Sequence, residues 1–570
     1  MISTHSLVYL SANLTTSTTF HSRRKPVPAE NYYEQQQQEF DINDPFHNKE
    51  YYKDKAFVTI VTDPNWMDAT RVSIQSLQKV SKTRANIMVI MAINKTFSNI
   101  PVSYDDTIMK NIQLLNISPD IEDPISKALT YYRKLVYFSN EILFKKNVDH
   151  YFGYPTHTIL KDHNNIGLKI YERSEKNNIS STSPLFTPST HFPLSNEEIF
   201  WFKDQMKPWD FHQYHDTDWL KKYHSSSFYQ WRSLYDDIIQ LESSSSSVND
   251  WSNQDRRKSV CNAWTLSSLE KNSLPTTVLN DDKTIIIRDR FSVLLSTYKP
   301  ERINHLTLLI RHLLQSSLVH EIFITWHNPN LDVPTPLMEF IRNDTNSQGG
   351  ERIHVLPQSY DSLNNRFNPV KQIQTEAVYI LDDDVFMDIQ DLEFTFSVWQ
   401  QPNHKDSIVG HFPRIHQYNS ETHEAIYKIS NKDIYSMVLT KSMFVRTDYL
   451  FTFTCLMDLE IHHAIDSWMN CEDIAFNMMV SGMTGAPAIA VTPRNPLLDF
   501  GTKSGISTNL QHMGGRGECI SHFITKYWKE KDPLIVSSSA IVPYERPTIR
   551  RGSWDRIEKQ INQYQHRMEQ

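Results

Sequence analysis

Five apolar residues, Ala377-Val-Tyr-Ile-Leu381, run without interruption into three carboxylates, Asp382-Asp-Asp384. A short continuous apolar run rich in β-branched and aromatic residues is the pattern of a strand buried on both faces. Such strands belong to mostly parallel sheets with helices on each side. In open sheets of that kind, ligand sites form beyond the carboxyl ends of the strands. The segment therefore predicts both an α/β fold and the edge of that fold where polar chemistry gathers.

The flanking sequence has the matching rhythm. Phe291 to Leu295 reads as a strand, and Ile303 to Leu314 as a helix with Ile303, Leu306, Leu309, Ile310 and Leu313 on one face. Glu321 to Trp326 reads as a strand and Asp391 to Gln400 as a helix. The same opening occurs earlier, with a strand at Phe57 to Thr62, a helix following Asp68, and a strand at Ile87 to Met91. Between the two runs, residues 173–200 and 242–258 are rich in Ser, Asn and Thr, and Ser243 to Ser247 has the composition of a linker. The chain thus divides into a disordered lead (1–54, carrying Gln35 to Gln38), an α/β domain (55–240), a polar linker (241–284), a second α/β domain (285–545) and a tail (546–570).

A chain of 570 residues with 39% hydrophobic residues is long and apolar enough for two or three packed domains. The formal net charge of −8, without a long Lys/Arg run, gives no support to a nucleic-acid surface or a polybasic membrane patch. No stretch reaches the apolar length of a membrane span, so the chain reads as soluble or as held by an anchor outside this sequence. Cys261, Cys455, Cys471 and Cys519 are too few for a disulfide scaffold and lack zinc spacing, and they allow one or two bridges only if the chain is secretory.

In an extended segment, side chains at i and i+2 point the same way, so Asp382 and Asp384 can face one site. Two close carboxylates repel unless a cation neutralises them. Oxygen ligands suit Mg²⁺ or Mn²⁺, which often take one or two carboxylates together with substrate phosphates. A metal there would neutralise a leaving nucleoside diphosphate. The triplet alone fits equally a solvated acidic turn capping the next helix, or the aspartyl nucleophile of a phosphatase.

More specific signals surround it. In order they are Leu295-Ser-Thr-Tyr298, Ile324-Thr-Trp326, Leu363-Asn-Asn-Arg-Phe367, Glu376-Ala-Val378, Asp382-Asp-Asp384, Val398-Trp-Gln400, Ile408-Val-Gly410, Tyr435-Ser-Met-Val-Leu-Thr440, Asn470-Cys-Glu-Asp-Ile-Ala475, Val491-Thr-Pro-Arg494 and Arg516-Gly-Glu-Cys-Ile520. With these, residues 291–545 resemble glycosyltransferase family 64, the C-terminal domain of exostosin-type heparan sulfate polymerases. The resemblance implies a GT-A fold and transfer from a nucleotide-sugar donor with retention of anomeric configuration. Animal members add N-acetylhexosamine from UDP-sugars, and plant members handle other sugars.

Carried over residue by residue, Asp382, Asp383 and Asp384 match the metal and donor motif, with Asp384 the direct ligand of Mn²⁺ (or Mg²⁺) and Asp382 in support. Arg366 matches a donor-contacting arginine. Asp473 matches the acid beside the reacting sugar, with Asn470 and Glu472 in the same substrate-binding segment, and Arg516 matches a phosphate-side arginine. Cys471 and Cys519 match a disulfide pair, which implies maturation in an oxidising secretory lumen, Golgi or endoplasmic reticulum. The implied partners are a UDP-sugar and a glycan or glycoprotein acceptor, and a homo- or hetero-oligomer with other glycosyltransferases. Trp326 reads as core, or as a platform for a uracil. The chain departs from the family at Lys299-Pro-Glu-Arg302, at Asp361 and at His327, which bear on the donor. The alternative function is a catalytically weak, glycan-binding partner of another transferase.

Residues 55–240 more weakly resemble glycosyltransferase family 8, the glycogenin-like group, through Phe57 to Asp63, Ser76-Leu77, Asn147 to Phe152 and Lys207-Pro-Trp209. That gives two GT-A, Rossmann-like domains. The N-terminal one reads as incomplete, because Lys134 to Phe138 runs almost directly into Asn140 to Phe144 and the strand that should carry Asp-x-Asp is missing.

Overall fold

The computed structural model describes residues 53–63, 66–81, 86–92, 112–117, 123–153, 159–162, 165–173, 191–193, 199–201, 225–243, 257–262, 286–344, 352–430, 434–501, 510–538, 541 and 550–551. The lead up to residue 52, Lys207-Pro-Trp209 and nearly all of the 546–570 tail lie outside the described residues.

Two seven-stranded, mixed sheets dominate the α/β architecture. The first contains β1 (Lys55–Val61), β2 (Asn86–Met91), β3 (Ile112–Asn116), β4 (Lys134–Phe138), β5 (Ile159–Asp162), β6 (Asn165–Glu172) and β7 (His191–Pro193), in the order β3-β2-β1-β4-β6-β5-β7. The first four strands in that order are parallel, and β6 then runs antiparallel to β4. Helix α1 (Met67–Val80) crosses from β1 to β2, and α2 (Pro124–Tyr131) precedes β4. The Asp123 side chain caps α2 by accepting from the Ile125 amide at 3.2 Å.

The second sheet repeats the plan. It contains β8 (Ile287–Thr297), β9 (Val319–Trp326), β10 (Ile353–Pro357), β11 (Thr375–Asp382), β12 (Val409–Gly410), β13 (Ser442–Arg446) and β14 (Ile489–Ala490), in the order β10-β9-β8-β11-β13-β12-β14. Again four parallel strands are followed by an antiparallel neighbour of the fourth. Alternation along each strand divides the core. Phe291, Val293, Leu295, Tyr379 and Leu381 pack on one face with α3 (Ile303–Leu313), while Leu294, Phe323, Val378 and Ile380 pack on the other. The helix buries the face read from its periodicity: Ile303, Leu306, Leu309, Ile310 and Leu313 are all 3% exposed or less.

Two findings differ from the sequence reading, and a third decides between its alternatives. The strand said to be missing from the first sheet is present: β4 occupies the place that β11 holds in the second, beside the first strand. What it lacks is the acid. Where β11 ends in Asp382-Asp383-Asp384, β4 ends in Ser139-Asn140, and Asn140 turns inward to Thr59 and to the Ile60 carbonyl at 2.9 Å. Within the stretch read as a polar linker, residues 257–262 are helical, and Cys261 is bonded to Cys455. Trp326 is core and no platform, at 1% exposure with its indole N–H donating to the Leu331 carbonyl at 2.8 Å.

Candidate active site

Register sets the strand-end half of the site. Ser296 lies beside Asp382 on β8 and β11, so the next residues, Thr297 and Asp383, meet just beyond the sheet. The Thr297 hydroxyl donates to Asp383 Oδ2 at 2.7 Å. Arg302, on the short turn before α3, pairs with Asp383 and donates to Asp384 Oδ2 at 3.3 Å. Sequence reasoning noted Arg302 only within a segment that departs from the family, and the chain folds it back onto the triplet. Asp361, another departure from the family, accepts from the Tyr298 hydroxyl at 3.2 Å.

Arg366 lies in the turn Leu363–Phe367, which Ser362 caps by accepting from the Asn364 amide at 3.1 Å. Its guanidinium reaches Asp382 Oδ1 at 3.1 Å, the Thr440 hydroxyl at 2.8 Å and Glu472 Oε1 at 3.8 Å. Arg366 therefore joins the strand-end acids to the second half of the site.

That half sits at the start of α4 (Glu472–Thr484). Met469 and Cys471 flank Asn470 with φ of 45° and 76°, a left-handed conformation that L-residues with side chains adopt at a cost. The bend between this helix and the one before it aims Asn470, Glu472 and Asp473 at one place. Cys471 is bonded to Cys519 on α5 (Leu510–Tyr527), and the same helix carries Arg516. Arg516 lies 3.3 Å from Asp473 Oδ2 and donates through Nε to Asn470 Oδ1 at 3.3 Å. It also hydrogen-bonds the Tyr427 hydroxyl and lies over that ring at 5.0 Å. Asn477, one turn along α4, donates to the Val438 carbonyl at 2.8 Å and accepts from the Val438 amide at 3.0 Å, pinning the helix to the sheet side.

All ten sequence-selected residues fall in this region: Asp382, Asp383 and Asp384 at the strand end, Arg366 between, Asn470, Glu472, Asp473 and Arg516 at the helix start, and Cys471–Cys519 behind them. Sequence reasoning missed Tyr427, Lys441 and Asp499. Lys441 follows directly on the matched segment ending at Thr440, which was a usable signal, whereas nothing local marks Tyr427 or Asp499. Lys441 Nζ is 2.6 Å from Asp499 Oδ1 and 3.2 Å from Asp384 Oδ1.

Charge in the site is nearly, but not fully, balanced. The six carboxylates of Asp382, Asp383, Asp384, Glu472, Asp473 and Asp499 face four cations, Arg302, Arg366, Lys441 and Arg516. Burial is the main force on the acids. It pushes Asp384 up to about 6, against the pull of Lys441, and Glu472 up to about 7, against that of Arg366. The Lys441 ammonium stands off the hydrogen-bonding line of Asp384 Oδ1, so this buried oxygen has an ion pair but no hydrogen bond. A divalent cation fits both the surplus of negative charge and that acceptor. Among the described residues no three acidic, His or Cys side chains form a closed metal cage, so a metal here would share oxygens with a phosphorylated ligand.

Residues 291–544 match the family model described as Glycosyl transferase family 64 domain. The chain is similar to Glycosyltransferase family protein 64 C3 of Arabidopsis thaliana, 34% identical over 270 residues, covering 45% of this chain and 80% of that protein. It is similar to Glycosylinositol phosphorylceramide mannosyl transferase 1 of Arabidopsis thaliana, 30% identical over 266 residues, with coverages of 45% and 77%. It is also similar to Exostosin-2 of Bos taurus, 31% identical over 241 residues, 42% of this chain but 32% of that protein.

Proposed function

The chain belongs to glycosyltransferase family 64, and on that premise we propose that it transfers a hexosamine-type sugar, N-acetylglucosamine or N-acetylgalactosamine, from UDP to a glycan acceptor with retention. The observation that carries this reading is the bridge made by Arg366, which joins Asp382 of the acid triplet to Glu472, the neighbour of the Asp473 that pairs with Arg516. A nucleotide sugar needs both groups, to hold the diphosphate and to meet the reacting carbon.

In the proposed reaction, the acceptor hydroxyl oxygen bonds to the anomeric carbon. The bond from that carbon to the diphosphate oxygen breaks, its electron pair leaves with UDP, and the hydroxyl proton passes to the departing oxygen. Arg516 would stabilise the diphosphate charge, and Asp473 would shield the oxocarbenium-like charge. Front-face attack is favoured over a covalent bond to Asp473. The Asp473 carboxylate is held by Arg516 at 3.3 Å and by the Ile474 amide at 2.8 Å, which lowers its nucleophilicity. Asp384, with Asp382 in support, would hold Mn²⁺ or Mg²⁺, and the ion when bound would neutralise the leaving diphosphate. Asp383, held by Thr297 and Arg302, would keep the triplet in place.

The similarity to a mannosyl transferase gives a second donor, mannose. The N-terminal unit, residues 55–240, is proposed as a degenerate family 8-like GT-A domain that binds acceptor or a partner transferase, because Ser139-Asn140 stands where the acids would be. Two disulfides, Cys261–Cys455 and Cys471–Cys519, support maturation in the secretory lumen. Among the described residues, no helix is long and apolar enough to cross a membrane.

The test is release of UDP or GDP from UDP-N-acetylglucosamine, UDP-N-acetylgalactosamine, other UDP-sugars and GDP-mannose. The full chain and Asp384→Ala are compared with and without Mn²⁺. Metal-dependent release from one donor, lost in the variant, supports the reading and names the sugar. A folded chain that releases nothing from any donor, even with glycan acceptors added, overturns it in favour of a glycan-binding partner.

A further inference from the structure

We infer that Lys441 is a built-in counter-ion that competes with the divalent metal for Asp384 and thereby sets the metal affinity of the site; this rests on Asp384 being the metal ligand. Lys441 is held at both ends. Its carbonyl accepts from the Asp382 amide at 3.2 Å, so its backbone is tied to the acid-bearing strand. Its ammonium lies between Asp384 Oδ1 at 3.2 Å and Asp499 Oδ1 at 2.6 Å. Asp499 is fixed in turn by pairing with Val385 and by the Gly501 amide, which donates to Oδ1 at 2.9 Å.

The space around this ion pair is closed. A Cβ on Gly501 would lie 2.4 Å from Asp384 Oδ2 and 2.7 Å from Lys441 Nζ. Arg302 lies 3.3 Å from the same oxygen, Oδ2, and the other oxygen, Oδ1, is buried with the Lys441 ammonium 3.2 Å away. A cation reaching Asp384 Oδ1 would therefore have to displace that ammonium. A flexible four-carbon stem allows that movement, and Asp499 offers a partner that keeps the displaced charge paired. Two like charges a few ångströms apart in a buried site repel strongly. Lys441 thus keeps the metal-free site folded and nearly neutral, and makes firm metal binding depend on the oxygens that a donor diphosphate brings.

The experiment is a Mn²⁺ titration of the full chain, without nucleotide, following the electron paramagnetic resonance signal of free Mn²⁺. Wild type is compared with Lys441→Met, Lys441→Ala, Asp384→Ala and the Lys441→Met/Asp384→Ala double variant, with folding checked by circular dichroism. Removing the ammonium is expected to tighten Mn²⁺ binding by about tenfold or more, in both Lys441 variants, and the double variant should lose the gain. Asp384-dependent binding that is unchanged or weaker in folded Lys441 variants overturns the proposal while leaving the metal reading intact. Absence of Asp384-dependent binding in every protein overturns both.

Discussion

Asp473 is the residue on which the proposed chemistry turns. Its carboxylate is buried, paired with Arg516 at 3.3 Å, and fixed by the Ile474 amide at 2.8 Å. Asparagine keeps the shape and removes the charge that would face an oxocarbenium-like transition state. Asp473→Asn should lower kcat by about 100-fold or more, while UDP affinity, read by calorimetry, changes by less than about threefold. Turnover near wild type would reject the role of Asp473. Arg366→Lys should also be costly, because one ammonium cannot span Asp382, Thr440 and Glu472 as a planar guanidinium does. UDP-dependent thermal stabilisation equal to wild type would argue against Arg366 as a donor contact. Residues inside matched segments were legible before any coordinates. Lys441 adjoined such a segment, but Asp499 and Tyr427 were not legible, because each meets its partner only through folding: Tyr427 reaches Arg516 from 89 positions away, and Asp499 reaches Lys441 from 58.

Strands and helices were legible wherever one period dominated. The apolar runs at 57–62, 87–91, 291–295, 321–326 and 377–381 all became strands, because residues buried on both faces leave little ambiguity. The place of Lys134–Phe138 in its sheet was misread, since the Asp-x-Asp signature had stood as a proxy for the strand. Sheet position depends on neighbours, and those are nonlocal. At the same scale, the Cys471–Cys519 bridge joins the helix that carries Asp473 to the one that carries Arg516. Their sequence separation of 48 corresponds to up to about 4 kcal/mol of loop-closure stabilisation. A Cys471→Ala/Cys519→Ala variant should melt lower and lose transfer more than it loses stability at assay temperature, because Asp473 and Arg516 are no longer held in register. Equal activity would show that helix packing alone fixes the pair.

His411 links two further elements, meeting the Thr395 hydroxyl at 2.9 Å and the Ser442 hydroxyl at 2.8 Å. Burial lowers His411 to about 4, against a small opposing push from the Ser442 backbone, and burial likewise lowers His312 to about 4. A histidine whose folded pKa is depressed takes up its proton more readily when unfolded. The stability it contributes is therefore present above about 6.5 and is lost as pH falls from there through about 4. Glu472 and Asp384, whose pKa values are raised, act with the opposite sign and lose their contribution as pH rises toward 6–7. The histidine contribution can be isolated with His411→Gln. Its stability relative to wild type, from denaturant midpoints, should improve steadily between pH 6.5 and 4. A constant difference would mean that His411 does not titrate in that window.

Across the whole molecule, the helix Ser225–Ser243 fastens the two sheets together. Phe228, Tyr229 and Trp231 share one apolar cluster with Val72 of the first unit and with Phe451, Phe453 and Cys455 of the second. At its centre, the buried Asp236 sits between two buried arginines, 3.0 Å from Arg232 and 3.3 Å from Arg257. Arg232 also pairs with Asp458, and Arg257 donates to the Cys455 and Met457 carbonyls, each at 2.7 Å. The neighbouring Asp237 instead makes partly exposed pairs with Lys79 and Lys258. The physics of the two positions differs. Removing one partner of a buried pair leaves uncompensated charge and costs about 3–5 kcal/mol, whereas exposed pairs contribute about 0–1 kcal/mol. Asp236→Ala should therefore lower the first thermal transition by several degrees and speed proteolysis within residues 225–262, while Asp237→Ala leaves both nearly unchanged. If the two variants behave alike, the ionic centre is dispensable, and the apolar cluster with the Cys261–Cys455 bridge holds the units together by itself. If Asp236→Ala instead splits one transition into two, then Asp236 is what couples the folding of the acid-less sheet to the sheet that carries the transferase site.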